Sequence, residues 1–157
     1  MRYVGWMAGA ALLLAPMAAH AEVSVARGLQ VSITGGCHDC HTAGYNETAG
    51  QIDPKAALAG TVVGWQGPWG TTYPKNLRIT ASTMTEDEFL KFAKTFEAAP
   101  PMPWYNVHAM DDDDIRSLYQ YIVSLGEPGP QVPDALPPGA KPTTPYTIAA
   151  PPIMPGN

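Results

Sequence analysis

Both cysteines of the chain lie in one five-residue segment, Cys37-His38-Asp39-Cys40-His41. The pattern C-x-x-C-H is typical of covalent c-type haem attachment. Two thiols three positions apart on one backbone turn can reach the two vinyl groups on one edge of a porphyrin. The next residue, His41, then lies under the ring, where it can bind the iron. A chain that carries this motif builds its core around the ring, so the segment predicts one covalently attached haem c.

Three other interpretations of the same segment stay open. Cys37 and Cys40 could form a thioredoxin-like redox pair, although the βαβ context of such a motif is missing. Together with His38 and His41 they could hold zinc, although no second ligand pair follows downstream. They could also form a structural disulfide, although such a short loop would gain little stability from it.

The first 21 residues are typical of an export signal and not of a folded element. Arg2 supplies a positive start, residues 7–19 are apolar, and Ala19-His20-Ala21 places small residues where signal peptidase reads them. The apolar stretch is shorter than the roughly 20 residues that a bilayer span needs. We therefore expect cleavage before Glu22, a periplasmic location, and no membrane span after cleavage.

The composition limits the partners and the architecture. The net charge is −5 and the basic residues are scattered singly, so nucleic acid is not an expected partner. Seventeen prolines and 15 glycines exclude long helices over much of the chain. We divide the chain into a signal peptide (1–21), a haem domain (22–126) and a Pro-rich C-terminal extension (127–157).

Three segments of the haem domain are predicted to be helical. Residues 22–36 carry a stripe of Val25, Leu29 and Ile33, although their β-branched content leaves a strand open. Residues 85–96 have a capping box, Thr85 and Glu88, before an apolar repeat. Residues 111–125 begin with four aspartates, which the helix dipole favours at that end, and bury the stripe Ile115, Leu118, Tyr119, Ile122 and Leu125.

The remaining segments are predicted to lack helices. Residues 50–83 are rich in Gly, Pro, Trp and Thr, and this composition predicts an ordered loop. The Pro-rich residues beyond Gly126 should be extended. Because Tyr146, Ile148, Ile153 and Met154 are too apolar for a solvated linker, we expect residues 146–154 to pack on the haem domain; a disordered tail is the alternative.

Met102 is the expected sixth ligand of the iron. It lies in Pro100-Pro101-Met102-Pro103, which we call the strap. The fixed φ angles of its prolines make this segment stiff, and it does not need to form a helix. The other candidates are Met84, Met110, Met154, His38 and His108. Met84 and Met110 each precede a helix and are expected to pack there, while His108 has polar and acidic neighbours and is expected to be solvated.

Further segments accompany the haem motif in a recognisable order. They are Arg27-Gly28, Gly36 to Thr42 around the motif, Gly67-Pro68-Trp69-Gly70-Thr71, Tyr73-Pro74-Lys75-Asn76-Leu77, Pro101-Met102-Pro103-Trp104, and the stretch from Met110 to Leu125. With them the chain resembles class I, mono-haem c-type cytochromes. Within that class it is similar to the haem domains of the cytochrome subunits of bacterial alcohol and sugar-acid dehydrogenases.

The resemblance implies an all-α domain in which the first and last helices cross near the haem, with Gly28 against Tyr121.

Three departures weaken the likeness to dehydrogenase subunits. Gln30 and Ser32 stand where an aromatic usually follows the first-helix glycine. Leu77-Arg78 replaces the usual Ile-Thr-Pro after the loop asparagine, and the chain has a single haem motif.

Several residues are candidates for supporting roles. Trp69, Tyr73, Asn76 and Arg78 could donate hydrogen bonds to the haem propionates; alternatively the aromatics only cover the porphyrin and Arg78 is solvated. The run of aspartates from Asp111 to Asp114 could dock a basic partner, or could simply be a solvated helix start.

The sequence thus predicts a periplasmic one-electron carrier and not an enzyme. Its partners would be redox proteins, such as a periplasmic or membrane-bound dehydrogenase, an oxidase or another cytochrome. Two alternatives stay open. One is a haem enzyme or a peroxide or gas sensor with an exchangeable sixth ligand, and the other is an obligate cytochrome subunit of a dehydrogenase complex.

Overall fold

The computed structural model describes residues 22–149, so the predicted signal peptide and residues 150–157 lie outside the described part. Within it the chain is mainly helical, with one small sheet. The elements in order are α1 (Val25–Thr34), α2 (Cys37–His41), β1 (Gly64–Gly67), β2 (Gly70–Thr72), α3 (Leu77–Ser82), α4 (Glu86–Thr95), α5 (Trp104–His108), α6 (Asp112–Ser124) and β3 (Tyr146–Ile148).

Helices α1 and α6 form the main packing pair, and they meet at Gly28. A Cβ atom on Gly28 would lie 1.9 Å from the Ser117 carbonyl oxygen and 2.7 Å from the Tyr121 Cβ. No side chain fits there, so the predicted crossing of Gly28 against Tyr121 is present. The predicted helix is present. Of its stripe only Leu29 packs against the core, while Val25 and Ile33 are exposed; the buried residues are Gly28, Val31 and Ser32.

Helices α4 and α6 agree with their predicted bounds. Thr85 caps α4 and exchanges the reciprocal hydrogen bonds of a capping box with Glu88. Asp111 precedes α6 and Leu125 ends it. Together with α1 they enclose the hydrophobic core, whose buried members are Val31, Leu58, Ala81, Phe89, Ala93, Ile115, Leu118, Tyr121 and Ile122.

The expectation of a helical domain is confirmed in its main features, but the domain is not purely α-helical, because residues 64–72 form a β-hairpin within the segment predicted as loop. Strands β1 and β2 pair antiparallel, with Trp65 opposite Thr72 and Gly67 opposite Gly70. Gly70 has a φ of +103°, which only glycine adopts without strain. The strands are three and four residues long, too short for a period-two pattern to be recognised in the sequence.

The C-terminal extension lies along this hairpin. Strand β3 joins β1 in parallel, so that the sheet order is β2-β1-β3. On the opposite edge, Leu136 forms an antiparallel bridge with Thr71. Of the segment 146–154 that was expected to pack on the domain, Tyr146–Ile148 pairs with β1, while 150–154 fall outside the described residues.

Candidate haem site

The five-residue motif forms a helix of its own, α2, directly after α1. Gly36 separates the two helices and has a φ of +69°, a left-handed conformation that turns the chain sharply. Cys37 and Cys40 are free thiols, each partly buried. The short helix therefore presents both thiols and His41 from one turn of backbone.

His41 is buried and held in a single orientation. Its Nδ1 donates to the Lys75 carbonyl at 2.7 Å. This hydrogen bond fixes the tautomer in which Nε2 has no proton and can bind a metal. Burial also lowers the pKa of His41, which favours the neutral imidazole. Both features suit an iron ligand.

His38 is fully buried, and both of its ring nitrogens are used within the protein. Ser32 Oγ donates its proton to the Leu29 carbonyl, so it accepts from His38 Nε2 at 3.0 Å. His38 Nδ1 is then the acceptor for the Thr42 hydroxyl at 2.7 Å. The Thr42 oxygen in turn accepts from the Leu58 amide. His38 thus ties α1, α2 and the following loop together and has no nitrogen left for a metal.

The open alternatives for the motif find little support in this geometry. Burial raises the pKa of the Cys37 thiol to about 11 and also raises that of Cys40, whereas a redox pair needs a stabilised thiolate. Within residues 22–149, no cluster of three or more His, Cys, Asp or Glu side chains could hold a metal ion. The cysteines are not joined as a disulfide.

The hairpin supplies buried polar atoms that lack a partner. Trp69, in the turn between β1 and β2, has a buried Nε1 with no hydrogen bond, and the buried Thr71 hydroxyl has none either. The Trp69 ring lies over Gly67, where an added Cβ would be 2.4 Å from it. Buried donors of this kind normally have a partner, and an acidic group of a bound cofactor would supply one. On this observation the site fits a haem.

Tyr73 is buried too, but its hydroxyl accepts a hydrogen bond from Thr144 in the C-terminal extension. Asn76 caps α3 with its side-chain oxygen and donates through Nδ2 to the carbonyls of Pro128 and Pro130. Both Nδ2 protons are therefore used, and Asn76 has no donor left for a propionate.

Arg78 is buried and not solvated. Its guanidinium group donates to backbone carbonyls only, at Pro54, Ala57, Leu125 and Glu127. These hydrogen bonds join the loop before α3 to the end of α6 and the start of the extension. Arg78 thus links three parts of the backbone, a role that nothing in its sequence context indicates.

Among the methionines, Met84 and Met110 pack against the hydrophobic core. The Met110 methyl group also lies next to Gly35. Met102 is partly buried and is not part of this core cluster in the described chain. The strap that carries it is held at the Pro100 carbonyl, which accepts from the Thr72 hydroxyl at 2.7 Å. Met154 lies outside the described residues.

His108 is partly buried and not solvated as expected. Its Nε2 hydrogen-bonds to the Phe96 carbonyl at 2.9 Å. The ring packs between those of Phe96 and Trp104, with centroid distances of 5.8 and 5.0 Å.

The acidic run at the start of α6 is largely used inside the molecule. Asp114 pairs with Arg27 of α1, and Asp112 pairs with Lys94 of α4 at 3.1 Å. These ion pairs connect α6 to its two packing partners. They also reduce the free negative charge that a basic partner could meet at this end of the helix.

Comparison with known protein families gives one match. Residues 25–126 match the family model for cytochrome c, and the chain belongs to this family. It is therefore a c-type cytochrome, a haem-based electron carrier whose family membership implies covalently bound haem c. Comparisons with curated proteins and with solved structures yield no significant match. No helix in residues 22–149 is long and apolar enough to cross a membrane.

Proposed function

We propose that this chain is a mono-haem electron carrier of the periplasm, with haem c attached at Cys37 and Cys40 and with His41 and Met102 as the axial ligands. The observation that carries the proposal is the His41–Lys75 hydrogen bond, which prepares Nε2 as a ligand directly beside the two free thiols. The bound haem would supply the one-electron step between Fe(III) and Fe(II).

Met102 is proposed as the sixth ligand because the other methionines of the described chain are used elsewhere. Met84 and Met110 contribute to the core, whereas Met102 is on a strap without helical structure. A thioether opposite an imidazole favours Fe(II) and raises the reduction potential relative to two nitrogen ligands. With both axial positions filled, the iron would exchange electrons without binding substrate.

The haem propionates are proposed to lie near the turn of the hairpin. Trp69 Nε1 and the Thr71 hydroxyl are two buried groups of the hairpin that lack a partner, and both can donate to a carboxylate. Thr71 was not among the propionate donors predicted from the sequence. Tyr73 would cover the ring edge, while Asn76 and Arg78 would act on the backbone and not on the haem.

A haem enzyme or sensor would need an open iron position and a free distal acid or base. His108 and Arg78 are the side chains that could supply such a group, and both have protein partners. The electron-transfer function is therefore favoured over the catalytic one. The proposed partners are periplasmic or membrane-bound redox proteins, with a dehydrogenase as the electron donor; a stable subunit role would appear as copurification with such an enzyme.

The attachment is tested by changing Cys37 and Cys40 to Ala in the chain expressed with its export signal and with haem-maturation factors. We expect the variant to lose the haem stain that survives denaturing gel electrophoresis, because both thioether bonds need a thiol. A stain as strong as that of the unchanged protein would refute the assignment.

The sixth ligand is tested by Met102→Ala, with Met110→Ala and Met84→Ala as matched controls. The first change should abolish the weak long-wavelength absorption band of ferric haem with a thioether ligand, and should let carbon monoxide bind the reduced protein readily. The controls should keep the band and lose at most about 2 kcal/mol of stability, the lower end of the range for a buried Met→Ala change, because both side chains are only partly buried against the core. Loss of the band in Met110→Ala alone would show that Met102 is not the ligand.

A further inference from the structure

The C-terminal extension covers both outer edges of the β1–β2 hairpin. On the β2 side, the Thr71 amide donates to the Leu136 carbonyl and the Leu136 amide donates back, at 2.9 and 2.8 Å. On the β1 side, the Gly64 amide donates to the Pro145 carbonyl at 2.9 Å, and the Ala149 amide donates to the Gln66 carbonyl at 2.8 Å. A short two-stranded hairpin is marginally stable alone, so these bonds are a large share of its support.

Close packing reinforces this arrangement at two glycines. A Cβ on Gly70 would lie 2.0 Å from the Leu136 carbonyl oxygen, and a Cβ on Gly60 would lie 2.6 Å from Val132. The extension is also rich in proline, which is already restricted in the unfolded chain, so holding it in place costs little entropy. The segment 127–149 is therefore a clasp around the hairpin, and we use that name for it below.

The hairpin is in turn attached to the segment that carries Met102. Thr72, in the strand that Leu136 supports, donates its hydroxyl proton to the Pro100 carbonyl. Pro100 is two residues before Met102. A continuous series of contacts thus runs from the clasp through Thr71 and Thr72 to the strap of the sixth ligand.

We propose that the clasp acts as a positioning element for Met102, and that it determines how firmly this methionine stays on the iron. The inference rests on the proposed Met102 ligation. When the clasp is released, the hairpin loses its edge partners, the Thr72 to Pro100 contact weakens, and the strap moves away from the iron more often. An added ligand that competes with Met102 then binds more tightly in proportion to the fraction of protein with Met102 detached.

Two changes test this in the covalently loaded protein. A stop after Glu127 removes the clasp apart from its first residue. A stop after Ala149 is its matched control, because it removes only residues outside the described contacts. Thr72→Val deletes the hydroxyl without changing the shape of the side chain, and Thr95→Val is its control, since Thr95 bonds only within α4. Imidazole titrations of the ferric protein measure detachment, and amide hydrogen exchange at Thr71 measures the hairpin.

We expect the stop after Glu127 to expose the Thr71 amide to exchange and to raise the apparent imidazole affinity about fivefold or more; Thr72→Val should raise it about two- to threefold. Both controls should match the full chain. An unchanged imidazole affinity in Thr72→Val, or in the folded truncated protein, would overturn the proposal, even if Thr71 loses protection. If the truncated protein does not fold, Thr72→Val decides alone.

The failure of this inference is distinguishable from that of the proposed function. A full chain without the thioether absorption band would refute Met102 ligation itself, and the coupling with it. If the full chain has the band, but removing the clasp or changing Thr72 leaves the imidazole affinity unchanged, only the positioning role is refuted.

Discussion

Gly28→Ala adds a single methyl group, but we expect it to lower the stability of the protein strongly because of how α1 packs against α6. The new Cβ would lie 1.9 Å from the Ser117 carbonyl oxygen and 2.6 Å from its carbon, and neither backbone atom can rotate away. Since real Cβ atoms essentially never approach closer than 3.0 Å, α1 and α6 must separate by about 1 Å. The core between these two helices would lose contact along its whole length.

The magnitude follows from two opposing effects. Overpacking of a core typically costs about 1–3 kcal/mol, and it should be at the upper end here because the contact is with backbone. Alanine recovers at most about 1 kcal/mol of helix propensity over glycine. We therefore expect a net loss of about 2 kcal/mol in the free energy of unfolding, or a decrease of about 5–15 °C in Tm.

Thermal and denaturant unfolding of the haem-loaded protein, followed by the haem absorption, measures this loss. The matched control is Gly35→Ala at the end of the same helix, where φ is −79°. There the new Cβ would lie 2.9 Å from the Val31 carbonyl oxygen and 3.0 Å from the flexible Met110 methyl, a much smaller overlap than at Gly28. The control should lose less than half as much stability. If Gly28→Ala is as stable as the unchanged protein, the close crossing of α1 and α6 is not what holds these helices together.

Three further predictions concern residues outside this crossing. Burial lowers the pKa of His38 from its ordinary value of 6.5. As the pH falls below 6.5, the unfolded chain therefore binds a proton at His38 that the folded chain does not bind. The stabilisation should be fully present above pH 6.5 and should decline as the pH falls. His38→Gln should flatten that part of a denaturant-midpoint profile, and an identical profile would contradict the buried neutral ring. Arg78→Lys should cost about 2–3 kcal/mol in the same assay, because lysine cannot reach the carbonyls that the guanidinium group bridges; an unchanged midpoint would rule out that bridging role. Thr85→Ala should cost about 1 kcal/mol through loss of the α4 cap, while Thr95→Ala in the last turn should cost clearly less; equal losses would show that the capping box contributes nothing of its own.

The haem motif and helices α4 and α6 can be predicted from local sequence. The haem motif is contiguous, because both thiols and His41 must project from one turn of backbone. The capping box of α4 and the apolar repeat of α6 are equally local, since a helix is stabilised by residues three and four positions apart. These elements were predicted with nearly correct bounds.

Other parts of the molecule depend on residues far apart in the chain. The buried face of α1 is set by its contact with Ser117 and Tyr121 on α6, so of the apolar stripe on α1 only Leu29 packs against the core. The hydrogen bond between His41 and Lys75 joins residues 34 positions apart, and no local signal predicts it. Sequence alone suggested a haem contact for Arg78, yet its partners lie in three separate segments of backbone.

By itself the sequence determined the class of chemistry of this protein, which is that of a covalently bound haem c, because haem attachment needs particular residues at fixed spacing. Only the tertiary structure decided which nitrogen of His41 is free and which buried donors lack a partner. It also decided that residues 127–149 lie along the hairpin, with backbone hydrogen bonds at both of its edges. The physical reason is that strand pairing and hydrogen bonds to backbone carbonyls depend on which backbone groups meet in space. A proline-rich sequence has no periodicity that indicates which strand it will pair with.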